Sequence, residues 1–282
     1  MASAAPIIAR SSPHVHTQFC DGRSTAEEMV QAALSKEFVS LGFSSHAKQD
    51  FDPDYSLDEA REAAYIQEIK RLQAKYADQI KIWLGMEQDF FSTANKNQFE
   101  YVIASVHYIK MPDGGKLAVD SSKGQLEVII KEAFEGDAYA LAETYYHMLG
   151  QFVKDSQPDI IGHLDLLTKF NKGKSPFDES HPRYVKAATG AMELAFSGCE
   201  LMEINVGALA RTGTKGPYPA LPLLRTWREL GGQVILASDC HLAKYLDSSY
   251  ETGIALMKEA GFKKAAILGR HNELFEWHKV PD

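Results

Sequence analysis

The sequence lacks the features that mark disulfide-rich, structural-zinc and membrane-spanning proteins. Among its 282 residues are three cysteines, at positions 20, 199 and 240, and none of them forms a Cys-x-x-Cys pair. This number and spacing argue against a disulfide framework or a thiolate zinc site. No uncharged apolar run approaches the roughly eighteen residues of a spanning helix. Residues 1–10 lack the charged and apolar regions of a secretory signal, so we expect a cytoplasmic protein.

An excess of positive charge is also missing. The chain has 30 Lys and Arg against 38 Asp and Glu, which gives a formal net charge of −8. Long nucleic acids need clustered Lys and Arg, so we expect no nucleic-acid partner, and we expect no membrane partner either. A small anionic phosphate ester stays compatible with this charge, because bound divalent cations would reverse the local field. No pattern in the chain indicates an oligomeric state.

Strand-like apolar runs alternate with helical patterns along the whole chain, without a solenoid repeat or a low-complexity linker. Strands are predicted over residues 13–19, 38–45, 80–87, 101–107, 159–163, 200–205 and 233–239, with a short apolar run at 265–268. This alternation predicts a mostly parallel α/β sheet. Seven βα units predict a distorted (β/α)7 TIM-like barrel in a single domain over residues 1–282. A doubly wound open sheet is the alternative.

Two helix starts and one insertion are also indicated. Ser24 and Glu27 have the spacing of a capping box, and Ser56 and Glu59 repeat that spacing. Residues 111–123 contain the run Pro-Asp-Gly-Gly, which predicts a loop or hairpin inserted after the fourth strand. We expect this insertion to shape a substrate pocket.

His14 and His16 stand two residues apart in the first predicted strand. Side chains at that spacing point to the same face of a strand, so both imidazoles would enter one space. Taken alone, the pair has an ordinary alternative, in which one His packs in the core and the other faces solvent. The other strand ends favour the metal interpretation, because nearly every one carries a metal-competent residue. These residues are Asp21, His46, Glu87, His107, His163, Asp165, Asp239 and His241.

A closed barrel would gather all these strand ends around one mouth. Imidazoles and carboxylates without thiolates suit zinc, iron or manganese. About ten ligand-type residues exceed the roughly four to six positions of one ion, so two or three divalent ions with a bridging carboxylate are expected. Such clusters hydrolyse phosphoesters by polarising the phosphoryl oxygens, holding a bridging hydroxide as nucleophile and stabilising the leaving alkoxide.

The order of these residues resembles the polymerase-and-histidinol-phosphatase (PHP) superfamily, and within it the monofunctional histidinol-phosphate phosphatases. The matching motifs are His14-Val-His-Thr, Asp21-Gly22, Ser45-His46, Gly85-Met-Glu87, Ser105-Val-His107, Gly162-His-Leu-Asp165, Glu203-Ile-Asn205 and Ser238-Asp-Cys-His241. The resemblance implies a metal-dependent phosphatase of histidine biosynthesis that hydrolyses L-histidinol phosphate to L-histidinol and phosphate.

The resemblance also implies a trinuclear centre and assigns its ligands. The first ion would take His14, His16, Glu87 and Asp239. The second would share Glu87 and add His107 and His163. The third would take Asp21, His46 and His241, although some superfamily members carry His where Asp21 stands. Asp21, His46 and Glu87 are the predicted catalytic residues, and Asp21 or His46 would help to protonate the leaving oxygen.

Three residues are predicted to bind the substrate: Arg211, Asn205 and Arg183. Arg211 lies beyond the sixth predicted strand, where its guanidinium could clamp a phosphate through two hydrogen bonds. An ordinary surface Arg is the alternative there. Arg183 and Lys169 are second choices for the same contact. An acidic group is expected near the amine of the substrate, but the sequence does not place it.

Other titratable residues are expected to have supporting or ordinary roles. Asp165 would share a strand face with His163, and we expect it to orient that imidazole rather than to bind metal. The remaining histidines are expected to pack or to face solvent; they stand at positions 147, 181, 271 and 278.

Two other functions remain open from the sequence. The same kind of site could serve a PHP-type phosphoesterase that acts on nucleotides or short oligonucleotides. A metal-binding module without catalysis is the second alternative, although the full set of ligand-type residues speaks against it.

Overall fold

Alternating strands and helices run through the computed structural model, which describes residues 8–93, 95–212 and 216–281. The strands are β1 Ser11–Ser12, β2 Ser40–Phe43, β3 Lys81–Asp89, β4 Tyr101–Ser105, β5 Tyr108–Lys110, β6 Lys116–Ala118, β7 Ile160–Ile161, β8 Leu201–Asn205, β9 Gln233–Ala237, β10 Lys264–Leu268 and β11 Phe275–Lys279. The α-helices are α1 Ala26–Ser35, α2 Glu59–Lys75, α3 Lys123–Ala133, α4 Ala138–Ser156, α5 Pro182–Phe196, α6 Gly207–Thr212, α7 Leu221–Glu229 and α8 Tyr250–Ala260. Within the described ranges, no helix is both long and apolar enough to cross a membrane.

Nine of the strands form one sheet in the order β1-β2-β3-β4-β7-β8-β9-β10-β11. Neighbours from β1 to β10 are parallel, and β11 runs antiparallel to β10. The sheet curls so that the chain just after β1 pairs with the chain just after β9. Val15 forms a parallel bridge with Cys240, and the amide of His16 donates to the carbonyl of Cys240 at 2.9 Å. The carboxyl ends of β1 and β9 therefore lie side by side.

The predicted α/β class and mostly parallel sheet are confirmed, whereas the predicted count of seven strands is not. The short run near the end of the chain forms β10, which is an eighth parallel strand, and β11 adds an antiparallel one. The first strand was predicted over residues 13–19 but is β1 at Ser11–Ser12, because regular pairing stops before Pro13, which has no amide hydrogen to donate. Within the predicted span, Val15 forms an isolated bridge. The sheet order follows the chain without the reversal that a doubly wound sheet requires.

The two predicted helix starts are displaced by one or two residues. Thr25 caps α1, with the Glu28 amide donating to its hydroxyl at 3.1 Å and its own amide donating to the Glu28 carboxylate at 2.7 Å. Ser24 is occupied elsewhere, since its hydroxyl accepts the amide of Ala243 at 3.1 Å. At α2 the cap is Asp58, while the hydroxyl of Ser56 bonds to the preceding loop.

A buried tyrosine fills the space between the first strands. Tyr101 on β4 is 1% exposed, and its hydroxyl donates to the carbonyls of Pro13 and Phe43. Its ring fits because β3 carries Gly85, where a Cβ atom would lie 2.1 Å from the ring. Tyr101 thus ties β4 to the segment that carries the first histidine pair.

Candidate metal centre

All nine residues that were predicted as metal ligands lie at one end of the sheet. They follow or end the parallel strands and fall into four overlapping groups whose ligand atoms are within 4.8 Å of one another. The groups are His16, Asp21, His46 and His241; His14, Glu87 and His163; His14, His16 and Asp239; and His46, Glu87 and His107. We refer to these nine residues as the ligand cluster. Parallel strands explain the gathering, because their carboxyl ends share one edge.

Glu87 stands at the centre of the ligand cluster. Its Oε2 atom lies 3.1 Å from Nε2 of His14, 3.4 Å from Nε2 of His16 and 2.9 Å from Nδ1 of His46. The parallel bridge between His46 and Glu87 sets the last of these contacts, because it aligns the end of β2 with β3. One carboxylate oxygen is therefore surrounded by three imidazoles.

The other oxygen of Glu87 faces two more imidazoles. Oε1 lies 3.1 Å from Nε2 of His163 and 3.5 Å from Nε2 of His107. Imidazole nitrogens therefore surround both oxygens of this carboxylate. That is the arrangement of a carboxylate that bridges two cations. Asp239 approaches from β9, with Oδ1 3.4 Å from Nε2 of His16 and a φ of 44°. That left-handed backbone is uncommon outside glycine, and such conformations concentrate at functional sites.

The third part of the ligand cluster is built around Asp21. Its Oδ2 lies 3.0 Å from Nε2 of His241, and its Oδ1 lies 3.5 Å from Nε2 of His46. The ring of His16 is sandwiched between these two imidazoles, at 4.2 Å from His46 and 4.3 Å from His241. A tight turn brings Asp21 back towards His16, since the amides of Cys20 and Gly22 both donate to the carbonyl of Thr17.

Several polar atoms of the ligand cluster have no hydrogen-bond partner among the described residues, although they are buried. They are Nε2 of His14, Nε2 of His16, Nδ1 of His163, Oδ1 of Asp21 and both carboxylate oxygens of Glu87. A buried polar group without a partner costs about 1–3 kcal/mol, so native proteins rarely leave several together. Converging imidazole nitrogens and carboxylate oxygens are the donor set of divalent metal sites. These residues therefore fit metal ions.

Glu203, to which the sequence analysis gave no role, holds two ligands in place. Its Oε2 lies 2.8 Å from Nδ1 of His14, and its Oε1 accepts the amide of His163 at 2.8 Å. The bond to Nδ1 directs Nε2 of His14 towards Glu87, as a supporting carboxylate does at many metal sites. A charged residue inside the apolar strand β8 is the signal that could have revealed it.

Asp89 was also missed and supports His107 in the same way. Its Oδ2 accepts the amide of His107 at 2.7 Å and lies 3.3 Å from Nδ1 of the ring. Asp89 stands two residues after Glu87 on β3, so both carboxylates point to the same side of the sheet.

The pKa shifts of the ligand cluster follow from its crowded carboxylates and imidazoles. Burial would raise the pKa of Glu87, but His14, His46 and His107 outweigh it and hold it well below its usual range. Asp21 is shifted in the same direction, because the opposing effect of burial is exceeded by His46, His241 and His16. Burial, His46 and His241 lower the pKa of His16 to about 3. Ionised carboxylates and a neutral imidazole are the forms that bind metal.

Two histidines shift the other way. Burial lowers the pKa of His107, but Glu87, Asp89 and Asp120 more than compensate and raise it to about 9. Burial is likewise outweighed at His14, whose pKa is raised by Glu203, Glu87 and Asp239. Both rings therefore sit among negative charge, as expected where cations bind.

Two of the three predicted substrate-binding residues, Asn205 and Arg183, are not brought to the open face of the ligand cluster. Asn205 is fully buried, and its amide donates to Glu203 at 2.8 Å and to Asp239 at 3.2 Å, so it positions carboxylates instead. Arg183 lies on α5, where Asp137 and Glu143 each accept from its guanidinium at 2.7 Å. These two carboxylates neutralise the charge of Arg183 at the surface of the helix.

Two further residues of the sequence analysis, Arg211 and Asp165, differ in what the structure describes. The Arg211 side chain lies outside the part of the chain that the structure describes. Asp165 accepts the amide of Ala220 at 3.0 Å, which ties the site to the start of α7.

A cavity of about 670 Å³ opens above the ligand cluster. Loops and the β5–β6 hairpin form one side of it, through Asp52, Tyr108, Asp120 and Lys169, which we call the loop wall. The predicted insertion supplies this hairpin, in which Tyr108 pairs with Ala118. Tyr55 also lines the cavity, with its ring stacked 3.9 Å from that of His46.

A protein family and several known proteins are similar to this chain. The PHP domain model matches residues 12–206. The histidinol-phosphatase of Bacillus subtilis is 28% identical over 263 residues, which cover 84% of this chain and 96% of the relative. The histidinol-phosphatase of Lactococcus lactis is 28% identical over 267 residues, with 90% and 92% covered.

Solved structures share the fold. A structure from Listeria monocytogenes superposes with a TM-score of 0.74 at 20% identity and covers 86% of this chain and 99% of that one. The histidinol phosphate phosphatase of Lactococcus lactis, solved with zinc, L-histidinol and phosphate, superposes with a TM-score of 0.67 at 24% identity. It covers 92% of this chain and 97% of that one.

Proposed function

The chain belongs to the PHP domain family, and from that premise we propose that it hydrolyses L-histidinol phosphate to L-histidinol and phosphate. The observation that carries the proposal is Glu87, whose two oxygens face five imidazoles from four other strand ends. The names of its relatives from Bacillus subtilis and Lactococcus lactis support the substrate.

Two or three divalent ions, of zinc, iron or manganese, would be held by the ligand cluster. His14, His16, Glu87 and Asp239 are proposed for the first ion. Glu87, His107 and His163 are proposed for the second, and Asp21, His46 and His241 for the third. Bound there, such ions would polarise the phosphoryl oxygens and lower the pKa of water, as in other two-metal phosphoesterases.

The side chains around the ions would position the reacting groups. Glu203 and Asp89 hold His14 and His107 with their Nε2 atoms towards Glu87. The lowered pKa of Asp21 keeps it ionised near neutral pH, so we assign it as a ligand rather than as a proton donor. The same assignment applies to His46, whose two nitrogens face Glu87 and Asp21, so neither residue is assigned as the donor of a proton to the leaving oxygen.

The same site is proposed to lie in a distorted barrel that forms a single catalytic domain. The bridge between Val15 and Cys240 supports closure at the carboxyl ends of the strands. The hydroxyl of Ser11 accepts the amide of Leu268 at 3.2 Å, which places β10 beside β1 as well.

A substrate panel tests the proposed function. Purified protein would be stripped with a chelator, reloaded separately with zinc, manganese or iron, and assayed for phosphate release. We expect activity to return with metal and to favour L-histidinol phosphate over nucleotides and p-nitrophenyl phosphate. Metal-loaded protein that cleaves another ester well and leaves L-histidinol phosphate intact would refute the substrate. Fewer than two ions per chain without any phosphatase activity would favour a non-catalytic metal-binding module.

A further inference from the structure

The inserted hairpin carries a carboxylate into the cavity beside the ligand cluster. After β6 the amide of Val119 donates to the carbonyl of His107 at 2.8 Å, which fixes the next residue, Asp120, close to that ligand. Asp120 lines the cavity and is not among the nine ligand residues. Its position is set by the backbone of the insertion rather than by a strand of the main sheet.

Asp120 has one oxygen engaged and one available. Its Oδ2 accepts from the Lys169 ammonium at 2.9 Å, and the two side chains are 19% and 21% exposed. Oδ1 has no hydrogen-bond partner in the described parts of the chain. The Lys169 ammonium at this distance favours the charged form of the carboxylate. A half-satisfied, partly buried carboxylate favours a second cationic partner.

The cavity is lined both by residues of the ligand cluster and by Asp120. The ligand cluster, loaded with cations, suits the phosphate end of a small ester. Asp120 provides negative charge outside that cluster, in the lining of the same cavity. L-histidinol phosphate has the matching pattern, because its phosphate and its protonated amine are separated by a short carbon chain.

We propose that Asp120 binds the protonated amine of the substrate through its free oxygen and thereby sets the preference for amino-alcohol phosphates. The proposal rests on the proposed function and deepens it. Lys169 would keep Asp120 in place and would not contact the phosphate itself. The insertion is then a specificity element, and the chemistry stays with the strand ends.

The test compares two substrates that differ in the amine alone. L-histidinol phosphate and its analogue without the amine, imidazolylpropyl phosphate, would be assayed with metal-loaded wild-type protein and the Asp120→Asn variant. We expect kcat/KM for L-histidinol phosphate to fall about ten- to hundredfold, the range for losing a hydrogen bond to a charged group, through a higher KM. The value for the analogue should stay within about twofold.

One matched control and two further variants distinguish a specific role of Asp120 from a general effect on the protein. Asp178→Asn removes the acid of another lysine pair, at 2.7 Å from Lys174, outside the cavity, and should leave the substrate ratio unchanged. Lys169→Met should keep or raise the preference for the amine, since Asp120 is then unshared. Asp120→Glu should recover part of the lost preference.

Equal losses on both substrates in Asp120→Asn, or no loss on either, would overturn the role of Asp120. If that variant proves unstable, an equal loss on both substrates in Lys169→Met would overturn it instead. Failure of the wild-type protein on L-histidinol phosphate, with good cleavage of p-nitrophenyl phosphate, is a separate result. It would refute the proposed function and the amine contact with it.

Discussion

The ligand cluster and the loop wall border the same cavity but are built in opposite ways. The ligand cluster stands on strand ends, and buried atoms of His14, His16, Asp21 and Glu87 converge there without hydrogen-bond partners in the described chain. In the loop wall each acid already has a partner within the chain, Lys169 for Asp120 and the Tyr108 hydroxyl for Asp52. Atoms left without partners on a rigid frame suit ions, whereas partnered side chains on loops suit the selection of a substrate.

The largest effect is expected from a substitution at the centre of the ligand cluster. Glu87→Gln keeps the shape of the side chain and removes the charge that faces five imidazoles. We expect kcat to fall by about a thousandfold or more, together with loss of bound metal measured by elemental analysis. The exposed Glu127→Gln on α3 is the control. Retention of both metal and activity in Glu87→Gln would contradict the bridging role.

A supporting residue should have a smaller effect than a ligand. Glu203→Gln weakens the contact to Nδ1 of His14 without touching Nε2. Supporting partners of this kind change metal affinity or activity by about 10–100-fold, so we expect a loss in that range. Metal titration of the chelator-treated variant measures it, and excess metal should restore part of the activity. An effect as large as that of Glu87→Gln would place Glu203 among the ligands.

The metal-free protein should show the charge of the ligand cluster in its stability. His107 has a pKa of about 9 in the fold against 6.5 when unfolded, so its contribution is complete below pH 6.5 and is lost as pH rises through 9. We expect the free energy of unfolding to fall by about 1–3 kcal/mol across that window. Denaturant unfolding in the presence of chelator measures it. His107→Asn should flatten the slope, and the exposed His147→Asn should not.

The smallest effect is expected at the surface of α5. Arg183 is held by Asp137 and Glu143 and does not line the cavity in the described structure. Arg183→Ala should therefore leave kcat/KM for L-histidinol phosphate within about twofold of wild type. A large rise in KM would return Arg183 to the substrate site.

What the sequence could predict depended on whether a residue's role is local. Glu87 and His163 end apolar runs, and parallel strands bring such ends together, so their meeting was predictable. Glu203 was visible as part of a motif, but its contact to His14 joins residues 189 positions apart, and no spacing rule specifies it. The loop wall was harder still, because Asp120 meets Lys169 only through the register of an inserted hairpin.

Local signals also competed with one another. Ser24 and Thr25 are both good helix caps, and the contact of Ser24 with Ala243 decided between them. Arg183 was predicted to bind phosphate, but Asp137 and Glu143, near the start of α4, accept hydrogen bonds from its guanidinium. In each case a partner distant in sequence settled the role, which propensity cannot anticipate.

Anomalous diffraction from crystals of zinc- or manganese-loaded protein would locate the ions directly. We expect two or three metal peaks within the ligand cluster, with one oxygen of Glu87 on each of two ions, and His14 and His16 on the same ion. A single peak, or peaks that leave Glu87 without a metal neighbour, would contradict the proposed metal centre.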